Sequence, residues 1–139
     1  MELKRHRARI GCAVLGVMAV CATGVLADQP ARFSFSCSGS AQADAARVAD
    51  ICADFLQALR SQPDLSGAEL QDAPLSSGPG LEIEITAATA TKIEVIPTWI
   101  DAGGGRTVRP AVGFLTMDTT VTRPRRLAFF QKLLADLPR

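Results

Sequence analysis

Lys4, Arg5, Arg7 and Arg9 stand directly before an apolar run from Ile10 to Ala27 that closes on Val25-Leu26-Ala27. A basic stretch, an apolar stretch and a small residue at its end form the three-part pattern of a secretory signal peptide. The expectation is a signal peptide over 1–27 and a single exported domain over 28–139, periplasmic or secreted, folding in an oxidising compartment. The apolar run is at the short end of a membrane span and carries Gly11, Gly16 and Gly24, which lower its helical persistence. Retention as an anchor therefore ranks behind cleavage. Lipidation of Cys21 ranks third, because branched Val20 is a poor neighbour for a lipidated cysteine, and Cys12 comes too early in the run. Membrane association is expected only if the segment is retained or Cys21 is lipidated.

Export redefines the cysteines. Of the four in the chain, Cys12 and Cys21 lie in the segment to be removed, and Cys37 and Cys52 remain. An isolated pair in an oxidising compartment is most simply a disulfide. A catalytic dithiol would sit as Cys-x-x-Cys with a low-pKa thiolate at a helix start, and the spacing here is far wider. His6, the single histidine, also falls before Ala27, and the chain has no tyrosine. Without an imidazole the mature protein has no Ser-His-Asp triad, no Cys-His pair and no histidine-ligated zinc. An enzyme would be left with a carboxylate pair, a Ser-Lys dyad or an oxygen-ligand metal site. No cofactor is expected, and no metal ligands are assigned.

The 112 residues of 28–139 suffice for one domain with one core. Their charge is divided along the chain. Asp28 to Asp101 holds eleven acidic against four basic residues, whereas Ala102 onward holds seven basic against two acidic. The mature chain is thus electrically bipolar while near neutral in sum.

Arg32 to Cys37 alternates, with Phe33, Phe35 and Cys37 on one side, which predicts a strand delivering Cys37 to the core. Ser40 can cap a helix from Ala41 to Arg60, whose stripe is Ala45, Val48, Cys52, Phe55, Leu56 and Leu59, with Asp44, Arg47, Asp50 and Asp54 off it. Residues 61–80, rich in Ser, Pro, Gly and Asp, read as a long connection with one helical turn near Ala68. Leu81 to Ile85 is a second strand, Ala87 to Thr91 a turn or bulge, and Lys92 to Ile100 a third strand. Pro97 in it cannot donate to a ladder, which implies an edge position or a bulge. Gly103-Gly104-Gly105 supplies a hairpin loop, and Thr107 to Thr116 returns with Val108, Val112 and Phe114 on one side. A second helix starts at Thr122 or Arg123, with Pro124 in its first turn and Leu127, Phe130, Leu133, Leu134 and Leu137 as its stripe. The order β-α-β-β-β-α predicts a small α+β two-layer sandwich, a mostly antiparallel sheet with both helices on one face.

The leading candidate site is the stretch Thr119 to Arg126. Thr122, Arg123, Arg125 and Arg126 crowd a helix start, where the dipole disfavours bases unless an anion or solvent compensates. Arg106 and Arg109 extend this surface. The bland alternative is solvated arginines, or arginines paired with acids of the first helix. Glu82 and Glu84 share a strand face that Glu94 could join, which is also what a half-exposed sheet shows on its wet side. Ser36-Cys37-Ser38-Gly39-Ser40 lacks the order of a nucleophile turn.

These residues point to a non-enzymatic binding or accessory module that contacts a protein or an anionic envelope component through Arg106 to Arg126 and the sheet edge near Pro97. The rival is a small hydrolase or transferase using Glu82, Glu84 or Asp118, with or without a divalent cation. Self-association through acidic and basic surfaces is the third outcome, and no nucleic-acid partner is expected.

Overall fold

A computed structural model describes residues 32–138. The signal-peptide expectation, with His6, Cys12 and Cys21, lies outside the described residues. The elements are β1 (Ser34–Gly39), α1 (Ala45–Arg60), a 3-10 turn at Pro63–Leu65, β2 (Glu69–Gln71), β3 (Gly80–Ala88), β4 (Lys92–Ile100), β5 (Arg106–Val108), β6 (Val112–Leu115) and α2 (Arg123–Ala135). The expected α+β two-layer architecture is present, an open six-stranded sheet with both helices packed on one face.

The sheet is mixed rather than mostly antiparallel. β1 runs parallel to both β2 and β3, while β4 is antiparallel to β3, β5 and β6. α1 accounts for β2, since a helix between two neighbouring strands carries the chain back to the starting end and the next strand enters in the same direction; residues 72–79 return the chain once more before β3. β2, inside the expected connection 61–80, was not legible. It is three residues long, and Leu70 within it is exposed, so no alternation marks it.

α1 begins four residues later than Ser40 suggests. Asp44 is the N-cap, its carboxylate accepting the Arg47 N–H at 3.0 Å. Ser40 instead continues the ladder, donating its N–H to the Ile85 carbonyl at 2.9 Å. The buried face of α1 is Ile51, Asp54, Phe55, Ala58 and Leu59, so Asp54, expected off the stripe, lies inside it. Cys37 and Cys52 are bonded, joining β1 to the middle of α1.

The core is carried by aromatic contacts that cross every layer. Phe35 of β1 stacks on Phe55 of α1 at 5.4 Å, and Phe55 meets Phe130 of α2 at 4.6 Å. Phe130 adjoins Phe129 at 5.5 Å, and Phe129 stacks on Phe114 of β6 at 5.7 Å. Such pairs add about 0.5–1.5 kcal/mol each beyond the area they bury. The chain of rings fixes both helices to the sheet and ends at the β6 edge.

Removing the bridge with Cys37→Ser and Cys52→Ser should lower stability by about 3 kcal/mol, since the closed loop spans 15 residues. Urea unfolding monitored by circular dichroism reads this directly. A loss well under 1 kcal/mol would show that the unfolded chain is already confined by other means.

Candidate functional site

The return strand after β4 shapes the far edge of the sheet. Pro97 lacks an N–H, and in an extended strand a residue's N–H and C=O point to the same side. Its carbonyl accepts the Arg109 N–H at 2.8 Å, so the missing donor faces the return strand. Pairing breaks there over residues 109–111. Thr98 pairs with Val108 and Val95 with Val112, so the return strand uses one residue more than β4 over that interval. The extra residue reverses parity. Val108 therefore faces away from the helices with Thr98, whereas Val112 and Phe114 face them, which corrects the expectation of three residues on one side. Pro97 sits on an inner strand and the bulge lies on its partner.

α2 is positioned over this edge by a buried carboxylate. Asp54 on α1 has a side chain only 6% exposed, and it accepts from Arg123 Nε at 2.8 Å and from Arg126 Nε at 2.7 Å. Arg123 also donates to Gln57 Oε1 and Arg126 to the Val121 carbonyl. Both oxygens of Asp54 are thereby satisfied by charged donors, the condition under which a buried carboxylate is tolerated. Thr122 is the N-cap of α2, with its side chain making no capping bond and Pro124 in the first turn.

Between β6 and α2 lies a groove of about 870 Å³. One wall is Val112–Thr119, the other the α2 stripe Arg125, Ala128, Phe129, Lys132, Leu133 and Asp136. Leu115 and Met117 are 59% and 85% exposed, unusual for side chains of that size. The outer backbone of β6 is also unpaired. Thr116 donates to the Thr91 carbonyl at 2.9 Å, so alternation turns the N–H and C=O groups of Gly113 and Leu115 outward.

The six arginine-surface residues do not form one patch. Arg123 and Arg126 are engaged with Asp54, and Arg106 is paired with Glu82 across the opposite face. Arg125 is exposed at the groove, donating to Thr119 Oγ1 at 2.8 Å, and Arg109 is exposed at the bulge. Three of the five ion pairs among the described residues join an acid before Ala102 to a base after it. The bipolar charge pattern thus serves in part to register the two halves of the domain.

The carboxylates are dispersed. Glu82 accepts the Leu75 N–H, and Arg106 donates to both Glu82 and the Leu75 carbonyl, so this pair straps residues 72–79 over the sheet. Glu84 is exposed, and Asp118 lies at the groove instead. Lys92, hydrogen-bonded to Glu94 at 3.0 Å, and Thr86 hold the Glu94 carboxyl below its ordinary range, which makes it a weak base. Among the described residues no three His, Cys, Asp or Glu side chains are grouped to hold a metal, and no helix is long and apolar enough to cross a membrane.

Leu115, Met117, Phe129 and Lys132 were not singled out from the sequence. The available signals were Leu115, apolar at a solvent-side position of an alternating strand, and Phe129, beside Phe130 and unable to share its direction on a helix. No protein-family model, curated protein or solved structure matches the chain.

Asp54→Asn should cost about 3 kcal/mol, because it leaves two guanidinium groups without their carboxylate. Arg126→Ala should cost less and Arg123→Ala least, about 1 kcal/mol or under, since Arg123 is 59% and Arg126 20% exposed. Denaturant titration of the three variants gives the order, and an equal or reversed order would contradict the clamp.

Proposed function

We propose that the protein is an exported, non-enzymatic binding or accessory module that receives a segment of a partner protein along the β6–α2 groove. One observation carries this reading. Of the five large apolar side chains exposed among the described residues, Val108, Val112, Leu115 and Met117 lie along the β5–β6 edge and the loop after it. Clustered apolar exposure beside an unpaired strand is the combination used when a partner adds a strand and seats its side chains alternately.

The charge distribution favours a protein over an anionic envelope component. Arg106 is paired with Glu82, and Arg123 and Arg126 share the one carboxylate of Asp54, leaving Arg109, Arg125 and Lys132 near the edge, with Asp118 and Asp136 beside them. A mixed rim of this kind suits a polar protein surface better than a polyanion. Hydrolase or transferase chemistry has less support, since Glu82 is committed to Arg106, Glu84 is exposed, and Asp118 lies apart from both at the groove. Export rests on the pattern of residues 1–27, and the Cys37–Cys52 bridge is in keeping with an oxidising compartment.

A photoreactive residue placed at Met117 in exporting cells should give a discrete covalent adduct, visible by mass. The same residue at Leu70, exposed on the opposite sheet edge, should give none. Absence of any adduct from position 117, or equal labelling from both positions, contradicts the groove as the contact surface.

A further inference from the structure

Arg125 and Asp136, at the two ends of the α2 stripe along the groove, are placed against the helix dipole, while Lys132 in the last turn is placed with it. Arg125 lies in the first turn, which holds no acidic residue, and Asp136 is the C-cap. The dipole prefers an acid at the first position and a base at the last. Such an inversion is relieved when a second helix lies alongside in the opposite direction, because each end then meets the other helix's opposite end.

In that geometry the stripe is complementary to itself. Antiparallel alignment of two copies of α2 brings Arg125 against Asp136, Ala128 against Leu133 and Phe129 against Lys132, each pairing occurring twice. The strand on the facing wall has the same property. Pairing β6 antiparallel to itself places the outward groups of Gly113 opposite those of Leu115, closing four backbone hydrogen bonds about Phe114. Leu115 of each copy then covers Gly113 of the other, the one β6 position without a side chain. One contact links the two alignments: Phe129, near the middle of the helix stripe, stacks on Phe114, the centre of the strand pairing, at 5.7 Å.

Resting on the proposed function, we infer that the partner seated at this edge is a second copy of the chain, in a twofold dimer whose sheet runs on from β6 to β6 while α2 packs against α2. An isologous contact requires this self-complementarity, and a foreign partner does not.

Sedimentation velocity on the protein exported from cells making the full chain tests the inference. Wild type should show a concentration-dependent dimer. Arg125→Asp and Asp136→Arg should each weaken association about tenfold or more, because two pairs per dimer become like-charged. Both changes suit the dipole, so neither endangers α2. An equimolar mixture of the two variants should recover the dimer, since every pair across the mixed interface is again opposite in sign. A chain that stays monomeric at all concentrations overturns the inference, as does a dimer indifferent to both variants. The groove reading is judged separately: an adduct at Met117 with a different protein would uphold it while the second copy fails, and a dimer adduct would join the two.

Discussion

The placement of α2 depends on one buried carboxylate. Asp54 stands on the inner face of α1, among Ile51, Phe55 and Ala58, and is tolerated there only because Arg123 and Arg126 satisfy both of its oxygens. The contact acts as a latch between helices that are far apart in sequence. Below it, Phe55 and Phe130 supply the apolar part of the same junction. With α2 so held, Phe129 reaches Phe114, and the space between helix and strand edge becomes a groove with defined walls.

Periodicity revealed much of this fold and missed it where periodicity carries no information. β4 runs over the residues expected of it, α2 starts at Arg123 with Pro124 in its first turn, and Cys37 and Cys52 meet because strand and helix turn them to the same layer. β2 was missed because three residues cannot express a period. The mixed sheet was missed because alternation is blind to strand direction, which here follows from the helix after β1 and from the return of residues 72–79 before β3. The bulge opposite Pro97 was anticipated in kind, but its consequence, the reversal of Val108, depends on a count of residues across two strands.

The candidate site was legible only in part for a related reason. Arginines at the start of α2 drew notice as a cluster, yet the fold sends them in different directions: Arg123 and Arg126 inward to Asp54, Arg125 outward to the groove. Helical spacing alone separates their azimuths, but which of them meets an acid is a tertiary fact. Segregated charge therefore served internal pairing first. What remains exposed is apolar side chain beside free backbone, the surface that a folded protein ordinarily keeps covered.

Amide hydrogen exchange at Gly113 and Leu115 tests whether the outer edge of β6 pairs with a second copy of the chain. These N–H groups point away from β4, so in an uncovered molecule they exchange as a free edge does while Phe114 and Thr116 remain protected. With such pairing, protection of Gly113 and Leu115 rises with protein concentration and falls in Arg125→Asp. Rapid exchange at both positions at every concentration, beside protected neighbours, would contradict it.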